Sequence, residues 1–186
     1  MSNDFHILPE FCTKKILVLG CGNTLFGDDG FGCAVADYLV EEYEIPSHIY
    51  VMDAGTGVRK LLFTLAISEA LPDQIIIIDA VDKGRIPGDV FEISLDDVPT
   101  EKADDFSMHQ APTSNLAKDL QSRGVGVKVV VCQAEHIPEF MHSVLSEPVC
   151  QAVSMAGDRI ARQLSLERIS GSITYPSSSC LPSQSL

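Results

Sequence analysis

Basic residues are scarce in this sequence. Thirteen Lys and Arg stand against 26 Asp and Glu, giving a formal net charge of −13 and a pI near 4.6. That balance argues against nucleic acid or an anionic membrane as partner, because phosphates would be repelled. No apolar run approaches the ~20 residues a spanning helix needs. The opening "MSNDFHILPEFC" is polar and acidic, without the apolar core of a secretory signal. The expectation is therefore a cytoplasmic protein without nucleic-acid or membrane partners. Six cysteines show no C-x-x-C pair and no finger-like spacing, so most are expected to be small buried apolar residues. No G-x-S-x-G elbow, no H-E-x-x-H and no phosphate-loop G-K-[ST] occurs. A serine hydrolase of that type, a common zinc peptidase and a P-loop nucleotidase are all disfavoured.

What is present is a chain of 186 residues with 45% apolar content, enough for one compact domain. Lys15–Gly20 is a short branched apolar run and is expected as strand one. Phe31–Glu44 has helical spacing and ends before Pro46. His48–Met52 is expected as strand two and Val58–Ala70 as helix two. "QIIIID", Gln74–Asp79, is apolar throughout, as a strand covered on both faces should be. Val90–Ser94 alternates. It follows strand three by a turn too short for a parallel crossover, so it is expected to run antiparallel. Gln110–Arg123, with Pro112 in its first turn, and Ser146–Leu164 are expected as helices around a buried strand at Val127–Cys132. The alternation predicts a three-layer α/β/α fold with a mostly parallel sheet. Residues 1–14 are expected as an N-terminal extension, 15–165 as the single domain, and 166–186, rich in Ser and Pro, as a disordered tail.

The stretch "VLGCGNTLFGDDGFG" begins like a dinucleotide turn. Gly20 and Gly22 fit G-x-G-x-x-G, but Leu25 stands where the third glycine belongs. Asp53 is also too distant for the acidic ribose ligand. Asp28 and Asp29 occupy the helix N-terminus where a phosphate would sit, and a pyrophosphate would add like charge there. One aspartate would suffice as a helix cap, which is what such a residue ordinarily does. Two invite another role.

Three acidic residues fall at or just past strand ends: Asp29, Asp53 and Asp79. In an open α/β sheet, sites form outside those ends, where successive helices go to opposite faces. Carboxylates gathered there repel one another unless they share a cation or a basic partner. His109, in "DDFSMHQAP", can add an imidazole. Two carboxylates and a histidine suit a divalent transition metal. Alone, His109 reads as an ordinary residue at a helix start. His136 is a weaker candidate, and His6, His48 and His142 have no chemical company.

Taken in order, "VLGCGNTLFGDDGFG", "DAGTG", "IIIIDAVDKGRIPG" and "SMHQ" resemble the maturation endopeptidases of nickel–iron hydrogenases, over roughly Lys15 to Leu164. Within the family the likeness is closest to archaeal members that process the deazaflavin (factor 420) reducing hydrogenase. The resemblance implies a mixed five-stranded sheet with one antiparallel strand, of the phosphorylase/hydrolase-like kind. It implies an aspartyl-type endopeptidase that removes the C-terminal extension of a hydrogenase large-subunit precursor after nickel insertion. Nickel, carried by the precursor, would be the recognition signal, with no organic cofactor and with the enzyme a monomer. The family's metal-contacting positions fall on Asp29, Asp79 and His109, with Asp29 where many members carry Glu. Asp28, Asp53, Gly55 and Thr56 are expected to support those ligands or touch substrate, Asp28 nearer the cap. The catalytic group stays open, with Asp29 and Asp79 as candidates. The alternatives are a chaperone or metallochaperone that holds the nickel-loaded subunit without cutting it, and an ordinary metallopeptidase.

Overall fold

The structure, a computed structural model, describes residues 9–96 and 110–170, with no side-chain detail for 110–114. The elements in chain order are β1 (Ile16–Cys21), α1 (Phe31–Glu42), β2 (Tyr43–Glu44), β3 (Ile49–Gly55), α2 (Val58–Ala66), β4 (Gln74–Val81), β5 (Val90–Ile93), α3 (Gln110–Ser122), β6 (Gly126–Gln133), α4 (Glu147–Leu164) and β7 (Glu167–Arg168). Five strands form one sheet in the order β3-β1-β4-β6-β5. β1, β3, β4 and β6 are parallel, and β5 pairs with β6 antiparallel. The expected mixed sheet with one antiparallel strand is what is found.

Both faces of the sheet are buried, and the period of two sorts the side chains. Val18, Ile76, Ile78, Val130 and Cys132 face α1 and α4. Leu17, Leu19, Ile75, Ile77, Val129 and Val131 face α2 and α3. This explains why "QIIIID" reads as unbroken apolar sequence: alternate isoleucines serve opposite layers. α1 and α2, which follow β1 and β3, lie on opposite faces. β1 and β4 are neighbours in register from Ile16↔Gln74 to Gly20↔Ile78. The switch point therefore opens at the ends of β1 and β4, as expected.

Several boundaries differ from the sequence reading, each through a distant contact. β3 runs on through Asp53 to Gly55, because Asp53 pairs with Gly20 and Gly55 with Cys21. α2 stops at Ala66 rather than Ala70. There the Arg123 guanidinium, from just past α3, donates to the carbonyls of Ala66 and Ser68. Tyr43 and Glu44 leave α1 to pair with β7. Arg168 on β7 donates to Glu42 Oε2 at 2.7 Å, and the Ile169 N–H donates to the Glu42 carbonyl. Residues 167 and 168, expected as part of the tail, thus form β7, and 171–186 lie outside the described residues. Nor is the N-terminal extension separate throughout: Cys12 is buried against β1 and α2. Among the described residues no helix is long and apolar enough to cross a membrane.

Candidate active site

The site is built by close backbone approach at the end of β1. A Cβ on Gly20 would overlap the Gly32 carbonyl, and one on Gly32 would overlap the carbonyls of Ile78 and Cys21. The first turn of α1 can therefore press onto the sheet between β1 and β4. Gly22 has φ +115° and faces the Asp29 backbone so closely that a side chain there would overlap its carbonyl. The 3-10 turn Gly27–Gly30, which carries both aspartates, is thereby held over the strand ends.

Asp28 and Asp29 then part company. Asp29 is half-buried, and its Oδ2 accepts the Asn23 N–H at 2.8 Å. Asp28 is fully buried, and its partners come from the far end of the chain. Its Oδ2 accepts the N–H groups of Glu135 (2.8 Å) and His136 (3.0 Å) and the Ser146 hydroxyl (2.9 Å). Its Oδ1 accepts the Ser146 N–H at 2.7 Å. The expectation that Asp28 caps its own helix is thus corrected. α1 starts at Phe31, with Gly30 as its N-cap and no side-chain cap bond, and Asp28 instead ties down the loop before α4. Nothing local in the sequence marks those four donors.

Asp79 and Asp53 lie within the last residues of β4 and β3 rather than past their ends. Asp79 Oδ1 accepts the Ala80 N–H at 2.8 Å. Asp53 is exposed, and its Oδ1 accepts the Gly55 N–H at 2.8 Å. Gly55, at φ +48°, in turn accepts the Gly22 N–H through its carbonyl, which joins the "DAGTG" turn to the β1 turn. Thr56 is exposed on that turn.

Two thiols lie beneath these acids, and sequence alone marked neither for a part in the site. Burial pushes the Cys21 thiol well up from its ordinary value, and the charges of Asp79, Asp53 and Asp29, together with the Cys33 thiol, push it further. Cys33 on α1 is pushed up first by burial and then by its hydrogen bond to Asp53. Both thiols stay neutral near pH 7, the wrong form for a cysteine nucleophile. Cys12 and Cys132 are also free and buried, whereas Cys150 is disulfide-bonded.

His109 lies outside the described residues. Among the described residues no group of three His, Cys, Asp or Glu side chains is arranged to hold a metal ion. His136 contributes its backbone N–H to Asp28.

Comparison with known proteins places this geometry. A family model described as "Hydrogenase maturation protease" matches residues 33–163. A Methanocaldococcus jannaschii protein assigned as a hydrogenase maturation protease is 39% identical over 145 residues, covering 77% of this chain and 92% of its own length. The coenzyme F420 hydrogenase subunit delta of Methanothermobacter thermautotrophicus is 31% identical over 158 residues, covering 83% of this chain and 97% of its own. Among solved structures, the hydrogenase maturating endopeptidase HybD from Escherichia coli superposes with a TM-score of 0.67 at 26% identity. That match covers 83% of this chain and 96% of that one.

Proposed function

We propose, since this chain belongs to the hydrogenase maturation protease family, that it is an endopeptidase acting on a nickel–iron hydrogenase large-subunit precursor. It removes the precursor's C-terminal extension once nickel has been inserted. The nickel arrives with the substrate and serves as the recognition signal. What supports this reading is the family match over residues 33–163, together with Asp29 held over the end of β1 against Gly22 and Asp79 near the end of β4, the two strands that flank the switch point. Carboxylates so placed repel one another, and a divalent ion relieves that repulsion. Asp29 and Asp79 are the oxygen ligands in this reading, with His109 as the nitrogen ligand. Asp53, Gly55 and Thr56 line the approach of the substrate tail.

The buried Cys21 and Cys33 thiols stay in their neutral form, and in this reading water is the nucleophile. Its oxygen adds to the scissile carbonyl, the C–N bond breaks, and the proton released ends on the leaving amine. Asp29 and Asp79 would hold the nickel so that the tail is oriented, and a carboxylate would take the proton of the attacking water. The cytoplasm is the compartment proposed, and the enzyme works as a monomer.

Mass spectrometry of nickel-loaded and nickel-free precursor after incubation tests the reading. Shortening of the nickel-loaded form alone is expected. Binding without shortening would replace the peptidase with a chaperone. Equal cutting of both forms, or of unrelated peptides, would remove nickel as the signal.

A further inference from the structure

Four large apolar side chains near the site are left in solvent: Leu25 (48% exposed), Ile137 (42%), Phe140 (82%) and Met141 (74%). They occupy two segments bonded to each other. The His142 N–H donates to the Leu25 carbonyl at 2.8 Å, and the Gly27 N–H donates to the His142 carbonyl at 2.7 Å. Phe26 and His142 form a parallel bridge, and the Pro138 ring lies against Gly27. The root of the second segment is the loop that Asp28 holds through Glu135, His136 and Ser146. The backbone under these side chains is therefore pinned from both sides, yet their apolar surface is uncovered. Exposed apolar clusters on a fixed frame mark places where something binds.

The cluster is continuous with the candidate active site. Asn23, whose N–H holds Asp29, also accepts the Leu25 N–H through Oδ1 at 3.0 Å. Its charged neighbours are acidic: Glu135 and Glu139 are exposed on the same loop, and Asp29 lies at its inner end. A second copy of a chain carrying −13 would bring acid against acid here. An apolar segment flanked by Lys or Arg fits both the surface and its border. On the reading that this enzyme cuts a large-subunit precursor, we infer that Leu25, Ile137, Phe140 and Met141 form the surface on which that precursor docks, through such a segment.

The test measures processing of the nickel-loaded precursor by the full chain, with binding of the uncut precursor followed separately. Phe140→Ser/Met141→Ser is compared with Met155→Ser, a control on α4 that is 59% exposed. Because all three side chains are largely in solvent, circular dichroism melts should match wild type. The double variant is expected to raise KM about tenfold with kcat unchanged, as loss of two apolar anchors would, and Met155→Ser to change neither. An unchanged KM in the double variant while wild type cuts normally overturns the docking surface alone. Wild type that binds but never cuts sinks the peptidase reading, and equal binding by the double variant then overturns the docking surface as well. A wild-type dimer in sedimentation that the double variant abolishes would give the surface to a second copy instead.

Discussion

The Asp28 carboxylate accepts the Ser146 backbone N–H at 2.7 Å, joining residues 118 positions apart and binding the start of α4 to the turn before α1. Asp28 is a buried carboxyl group facing four donors. Asp28→Asn would face those donors with an amide that accepts through one oxygen only, leaving buried N–H groups without partners. We expect a loss of roughly 2–4 kcal/mol in denaturant unfolding. Ser146→Ala removes only the hydroxyl bond and should cost about 1–2 kcal/mol. Equal stability of Asp28→Asn and wild type would show that Asp28 does not hold the loop.

Asp29 separates charge from packing. Asp29→Glu should keep substantial processing activity, since the family resemblance allows Glu there, and Asp29→Ala should abolish it. If Asp29→Ala still cuts precursor and loses only roughly 0.5–2 kcal/mol of stability, Asp29 is a structural residue of the kind a helix cap represents.

Asp79→Asn and His109→Ala should both fold and both fail on nickel-loaded precursor. Asn is nearly isosteric with Asp and can still accept the Ala80 N–H, so the end of β4 survives while the charge a divalent ion would use is lost. Melting curves run beside the processing assay distinguish failure of chemistry from failure of folding. Wild-type rates in both variants would remove them from the site.

Alkaline pH should destabilise the fold through its buried thiols. Cys132, with no exposed surface, is pushed up from 9.0 to about 12, first by burial and then by the charges of Asp28 and Asp89. The unfolded chain therefore loses this proton first. The stabilisation is fully present below pH 9 and declines as pH rises from about 9 toward 12. Urea unfolding at pH 8 and pH 10 should differ by on the order of 1 kcal/mol from this residue. Cys132→Val should flatten that part of the curve, and an unchanged slope would show that the thiol does not contribute.

Truncation should be tolerated after Ser170 and not before Glu167. Under reducing conditions, which open the Cys150 disulfide in both proteins, removing 171–186 is expected to leave melting temperature and processing unchanged, because that sequence has no apolar face. Removing 167–186 also deletes β7 and frees Glu42, which is 7% exposed, from Arg168. The melting temperature should then fall by several degrees in a thermal scan. Equal melting of the two truncations would make β7 dispensable.

Local pattern was enough for the sheet and its helices. Strand and helix periods are short-range properties, so "QIIIID", the helical spacing of Phe31 onward and the short link to Val90 prescribed a mixed α/β sheet without further information. The strand-end carboxylates were legible for the same reason: once β1, β3 and β4 are strands, Asp29, Asp53 and Asp79 must emerge at one end. Partnership across the chain was not legible. Asp28 looked like a cap because a local bond is the default for an aspartate beside a helix, and only folding brought Glu135, His136 and Ser146 to it. Arg123 meets the carbonyls at the end of α2, and Tyr43 and Glu44 pair with β7, through contacts no window of sequence contains. Likewise the exposure of Phe140 and Met141 depends on what the rest of the chain fails to cover. Hydrophobic period is set by neighbours along the chain, whereas burial and hydrogen-bond partners are set by neighbours in space, and those only the tertiary structure decided.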